Sequence, residues 1–151
     1  EYSSYMMNLG FKVKICDSPK HVTDTCNLII TTTAATEPIL FADDIQPGTH
    51  ITAMGSDTSA KQELDPNIME KADCVVADSI SQCIKRGEIS HALRDGKLTK
   101  NNIVELGHVL NGQHPGRTAQ DQITVADLTG VAVQDIQIAT AVYESFMENE
   151  S

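Results

Sequence analysis

The sequence predicts an α/β fold built on a mainly parallel sheet, and three observations carry that reading. Short runs rich in Val, Ile and Thr recur along the chain, each ended by small or polar residues. Most of these runs are apolar throughout instead of alternating, which suits strands covered on both faces. Helical patterns lie between them, and strands that alternate with helices form a parallel sheet with right-handed crossovers. The 151 residues are enough for one domain with a real core, and no repeat, low-complexity tract or clear linker divides them, so 1–151 is read as a single domain.

The first run, FKVKICD (11–17), alternates Phe11, Val13 and Ile15 with Lys12 and Lys14, and is expected as an edge or half-exposed strand. NLIITTT (27–33), HITAMGS (50–56), DCVVADS (73–79) and ITVADLTG (123–130) are expected as buried strands. DPNIMEKA (65–72) has Asp65 in the N-cap position and Pro66 as the first helical residue, a strong start signal. ISQCIKRG is expected to end at Gly87 as a C-cap. NNIVELGHVLNG (101–112) reads as a helix up to Gly112, with a weak point at Gly107. NGQHPGRTAQDQ is a polar loop. The tail, VAVQDIQIATAVYESFMEN, is the longest expected helix, with Val131, Ile138, Val142 and Tyr143 on one face and Met147 continuing it.

Composition narrows the function classes. Apolar residues make up 40% and charged residues 21%, while aromatics are only 4% and Trp is absent, so the core must rest on Ile, Val, Leu, Met and Ala. A formal net charge of -10 repels phosphate backbones and argues against a nucleic-acid partner. It leaves room for a nucleotide held by a local cradle of backbone N–H groups. No apolar run is long enough to span a bilayer, so no membrane role is expected. The start, EYSSYMMNLGFKVK, has no initiator Met and no basic-then-apolar signal pattern. Cys16, Cys26, Cys74 and Cys83 show no CxxC spacing, and three lie in or beside apolar runs; they are expected as buried, reduced thiols of a cytoplasmic protein. His108 and His114 are separated by a turn at Gly112, so no metal is expected.

The strand ends carry TTTAATEP, GSDTSAK, DSISQ and DLTG, all small, hydroxyl-bearing or acidic. Ligands bind beyond the carboxyl ends of strands in open parallel sheets, so a polar ligand across this edge is one reading. Ordinary loop and cap chemistry is the other. In GSDTSAK, Ser56 or Asp57 is either an N-cap, or Gly55 is a point of close backbone approach and Asp57 an acid/base with Lys61 one helical turn on. The hydroxyls of Thr31 to Thr33 face either a nucleotide or the orphan backbone groups of a turn. Thr129 and Gly130 stand at the expected start of the last helix, where Asp127 is a cap or a contact. No Gly-x-Gly-x-x-Gly sequence occurs in the chain, and HPGR is a turn.

PGTHITAMGSDTSAKQELDP resembles the central signature of the ornithine cyclodeaminase/mu-crystallin family: a Pro-Gly-Thr-His strand entry, Gly-x-Asp, and Lys-x-Glu-Leu-Asp. LIITTTAATEPIL, ADCVVADSISQC, ELGHVLNGQHPGR and ITVADLTGVAVQDIQIATAVYE match in the same order, so the resemblance covers nearly all of the chain. It implies the C-terminal part of a Rossmann-type NAD(P)-binding domain, a truncated Rossmann-like parallel sheet with flanking helices, plus the last helix. The family's other domain serves substrate binding and dimerisation. The implied chemistry is hydride transfer between NAD or NADP and the α-carbon of an amino or imino acid, or ornithine cyclodeaminase-like chemistry. Asp57 matches the family's acid/base aspartate. Thr52, Ala53 and Met54 match the backbone run against the cofactor, Thr31 the hydroxyl of the preceding strand end, and Lys61 the lysine of the signature. Leu128 and Thr129 match the segment over the nicotinamide, where Leu128 replaces the family's usual Ser.

The resemblance places the phosphate-binding turn, the residue selecting NAD or NADP, and the substrate-carboxylate lysine and arginine ahead of Glu1. It also removes two strands between FKVKICD and NLIITTT. Those runs would then pair directly, leave a gap, or borrow a strand from a second copy in a swapped homodimer. The alternative is a free-standing, non-catalytic domain for binding or self-association.

Overall fold

The computed structural model describes residues 2–149. Five strands form one sheet, β1 (Leu28–Thr31), β2 (His50–Ala53), β3 (Cys74–Ala77), β4 (Ile103–Glu105) and β5 (Thr124–Asp127), in the order β1-β2-β5-β3-β4. Every pairing is parallel. Among the described residues seven helices accompany it: α1 (Tyr2–Asn8), α2 (Pro19–Thr23), α3 (Asn67–Lys71), α4 (Ile80–Cys83), α5 (Glu88–Arg94), α6 (Leu106–Leu110) and α7 (Ala132–Asn149). The expected α/β class and four of the expected strands are present.

The register explains the core. Ile29, Ile51, Val125, Val75 and Ile103 lie side by side across all five strands. Because side chains alternate along a strand, this row points to one face. Leu40, Leu64, Ile68, Met69, Ile89 and Ala92 complete the buried cluster on that face. Burying each large aliphatic side chain stabilises the fold by about 1.5–3 kcal/mol. The next row on the same face is Thr31, Ala53, Asp127, Ala77 and Glu105. The covered face therefore becomes polar at its carboxyl edge, where the loops carry the candidate site.

The opposite face departs from the expectation of strands covered on both sides. β3 is buried at every residue, but β1 and β2 alternate. Leu28 and Ile30 are exposed. Continuous apolarity in NLII does not distinguish a covered face from an open one.

Other expectations are corrected. Residues 11–16 form no strand, and Phe11, Val13 and Ile15 are exposed. Alternation needs a partner strand to become β-structure, and among the described residues β1 pairs only with β2. Residues 101–112 are not one helix. A 3-10 turn at Lys100–Asn102 leads into β4, and α6 follows. Ile103 and Val104 are β-branched and pair with Val75 and Val76, so sheet pairing overrides the helical spacing. Gly87 is not a C-cap: α4 ends at Cys83, and Gly87, at φ 81°, opens α5. Asp65 is not the N-cap of α3, nor Pro66 its first helical residue: Pro66 is the N-cap, and Asp65 stands one residue earlier, its Oδ1 accepting the amide of Asn67 at 3.0 Å. α7 spans 18 residues, and Ile138, Val142, Tyr143 and Met147 on it are exposed. All four cysteines are free; Cys74 and Cys83 are buried, whereas Cys16 is half-buried and Cys26 exposed. No helix among the described residues is long and apolar enough to cross a membrane.

Candidate functional site

The carboxyl ends of β2 and β5 lie next to each other, and the chain leaving each one forms a wall of a shallow depression. Met54, Asp57, Leu128, Thr129 and Gly130 line its roughly 240 Å³. The Leu128 amide donates to the Ala53 carbonyl at 2.9 Å, and the Met54 amide to Thr31 at 2.9 Å, so both exits continue the sheet by one residue. Met54 is half exposed, and with Leu128 it gives the depression an apolar floor.

Asp57 stands on the rim. Its Oδ1 accepts from the Lys61 ammonium at 2.7 Å, and both side chains reach solvent. That hydrogen bond holds the Asp57 carboxyl below its ordinary range. No helix starts here, so neither Ser56 nor Asp57 is an N-cap. Ser56 is buried and donates to the Lys61 carbonyl at 2.7 Å, closing the turn that brings Lys61 back to Asp57.

Gly55 is small for a reason internal to the fold. A Cβ there would collide with the Glu63 carboxylate and the Thr33 carbonyl. Glu63 is fully buried. One of its oxygens accepts from the Thr31 hydroxyl at 2.6 Å and the Gly55 amide at 3.0 Å. The other accepts from the amide and the hydroxyl of Thr33. The Thr31 hydroxyl is thus committed to Glu63, and Thr31 and Ala53 lie buried beneath the depression. Thr52 points to the other face, its hydroxyl 3.1 Å from His50 Nε2.

Two further buried carboxylates support this edge. Glu88 accepts from the amides of Glu63 and Leu64 at 2.8 and 3.1 Å. Asp127 accepts from the amide of Ile89 at 2.8 Å, while its Oδ1 is buried without a partner among the described residues. Burial pushes both acids up to about 7; the charge of Glu63 raises Glu88 further, and the charges of Glu88 and Asp78 raise Asp127 further. On the far wall, Asp78 accepts from the Gly130 amide at 2.8 Å and from the Thr129 hydroxyl at 3.4 Å, fixing the Leu128–Gly130 turn. Arg86 donates to the Gly130 carbonyl at 3.4 Å.

The structure therefore brings Met54, Asp57, Lys61, Leu128 and Thr129 together, and sets Thr31, Thr52 and Ala53 beneath or behind them. Sequence reading missed Glu63, Asp78 and Glu88 as parts of the frame. Asp78 has a local signal, an acidic residue directly after the apolar run CVVA, where a charge must find partners if it is buried; Glu63 in KQELD and Glu88 in KRGEIS have none.

An open parallel sheet with a shallow depression and one rim carboxylate at its carboxyl edge defines an α/β domain of a class that binds ligands at that edge. The family model for the ornithine cyclodeaminase/mu-crystallin family matches residues 1–150, and the chain belongs to that family. It is 41% identical over 143 residues to an uncharacterized cyclodeaminase of Sinorhizobium fredii, covering 94% of this chain and 43% of that protein. An archaeal alanine dehydrogenase dimer with bound NAD superposes with a TM-score of 0.92 at 32% identity, over 99% of this chain and 46% of that one. The Thermococcus litoralis Delta(1)-pyrroline-2-carboxylate reductase in complex with NADH and L-proline gives 0.90 at 26% identity, over 99% and 47%. The chain spans less than half the length of each of these proteins. The fold is Rossmann-like, as these neighbours show.

Proposed function

We propose that this chain is the part of an NAD(P)-dependent amino- or imino-acid oxidoreductase, or of a related cyclodeaminase, that seats the nicotinamide and supplies the proton carrier. The observation that carries the proposal is the depression between the ends of β2 and β5, with an apolar floor and the Asp57–Lys61 pair on its rim. The fit is chemical. A flat, largely apolar ring suits Met54 and Leu128, and Gly130 leaves open space beside it. The groups here provide for the ring end of the cofactor.

When bound, a nicotinamide supplies hydride acceptance or donation. The chain's own residues supply the rest. Asp57 takes one proton from the substrate ammonium, leaving the amine lone pair free to form the C=N bond. That lone pair takes up the positive charge that develops at the α-carbon as the C–H bond breaks, while the protonated Asp57 stays beside it as an acid. In reduction the same carboxyl returns the proton. Lys61 keeps Asp57 ionised before substrate arrives, and exclusion of water by a bound ligand raises the basicity of the carboxylate toward a working value. Leu128 and Thr129 confine the ring and the α-carbon, and Asp78 holds that wall still.

Self-association is part of the proposal. α7 carries exposed Ile138, Val142, Tyr143 and Met147, apolar side chains that a second copy in a homodimer would cover. The free cysteines suit a reducing, cytoplasmic setting.

The seating of the cofactor is tested by fluorescence titration of the whole protein with NADH and NADPH. One of the two should bind, and Leu128→Glu should weaken that binding by about tenfold or more, by placing an unpaired charge on the apolar floor. Unchanged affinity in Leu128→Glu would remove the ring from this depression.

A further inference from the structure

We infer that Glu63 is a positioning residue whose buried carboxylate sets where Asp57 stands. The inference rests on the proton-carrier reading of Asp57 and deepens it. Glu63 joins three pieces of chain at the carboxyl edge. It receives the hydroxyl of Thr31 at the end of β1, the amide and hydroxyl of Thr33 in the loop after it, and the amide of Gly55 after β2. Its donors come from the exits of β1 and β2, and the β2 exit lines the depression. None is a lysine or arginine, so the carboxylate is held by fixed dipoles and not by a mobile cation.

Gly55 is two residues from Asp57, and the link between them is stiff. The Asp57 amide donates to the Gly55 carbonyl at 3.1 Å, and buried Ser56 is tied to the Lys61 carbonyl. Moving Gly55 must therefore move Asp57. Glu63 is itself fixed by its neighbours, since Glu88 accepts the amides of Glu63 and Leu64. The His91 ring meets the Lys61 carbonyl at 2.8 Å from the other side. The lysine that pairs with Asp57 is thus held by the same strap, residues 61–64, that carries Glu63.

Glu63→Gln isolates the effect. One amide oxygen remains for the two Thr33 donors, and the Thr31 hydroxyl can rotate to accept from the new NH2 group. In that orientation the Gly55 N–H, which cannot reverse its role, is left facing another donor; with the amide turned over it is the Thr33 N–H. A carboxylate in this position serves all four donors, whereas its amide fails at one of the two backbone N–H groups that tie the exits of β1 and β2 together.

The experiment uses the whole protein with Glu63→Gln, Thr33→Val and Asp57→Asn, read by amide hydrogen exchange and steady-state kinetics. In Glu63→Gln, exchange across residues 55–61 should quicken about tenfold or more while β3 and β4 stay protected. The value of kcat should fall about tenfold or more, with the KM for the cofactor within about twofold. Thr33→Val, which removes one hydroxyl and keeps the branched shape, should shift both readouts the same way and less, and it decides the matter if Glu63→Gln does not fold. Unchanged exchange at 55–61 with unchanged kcat would overturn the inference. So would quickened exchange spread evenly over the whole sheet, because that is a general loss of stability. If exchange at 55–61 quickens but Asp57→Asn turns over normally, Glu63 positions the turn and the role of Asp57 is what fails.

Discussion

At the scale of single residues, the site depends on where its carboxylates are placed. Asp57 is exposed and held ionised by Lys61, while Glu88 and Asp127 are buried and pushed up to about 7 from ordinary values of 4.5 and 3.8. Their effect on stability has a definite sign. Raised groups keep protons in the folded state that the unfolded chain has already shed, so their stabilisation is complete below about 4 and is lost as pH rises through about 7. Urea unfolding of the whole protein at pH 5 and pH 8 should show roughly 3 kcal/mol less stability at the higher pH from Glu88 alone. Glu88→Gln should flatten that slope and leave the remainder to Asp127. A protein equally stable at both pH values would show that these acids ionise freely.

At the scale of elements, the joint between β5 and α5 is closely packed. Gly87 opens α5 at φ 81°, and a Cβ there would lie 2.6 Å from the Thr129 methyl and 2.7 Å from Asp127 Oδ2. Gly87→Ala adds left-handed strain to overpacking and should cost about 2–4 kcal/mol in urea unfolding. A cost below about 0.5 kcal/mol would mean that this joint is loose. Reading the sequence finds Gly87 but gives it the wrong task, because a glycine after a helical run resembles a C-cap whether or not another helix follows. The same limit applies to β4. Ile103 and Val104 are apolar at a spacing that a helix also tolerates, and only pairing with β3 decides between the two forms. FKVKICD errs in the opposite direction, since its alternation has no strand to pair with among the described residues.

For the whole molecule, the sequence makes the class and the sheet edge of the candidate site legible, and leaves the supporting frame hidden. Short Val- and Ile-rich runs ending in GSD, ADS and DLTG give both the parallel sheet and its polar edge. The roles of Glu63, Asp78 and Glu88 arise only when distant segments meet, as the bonds from Glu63 to Thr31 and Thr33 show. Gly55 illustrates the difference: its small size serves the buried Glu63 carboxylate, and the site gains a fixed Asp57 as the consequence. The account as a whole depends on that aspartate moving a proton at the edge of a nicotinamide seat. The most direct test is turnover and cofactor affinity of Asp57→Asn in the whole protein, assayed with amino- and imino-acid substrates. We expect kcat to fall by about 10²- to 10⁴-fold while the Kd for the nicotinamide cofactor stays within about twofold. A variant that turns over at the wild-type rate would contradict the account.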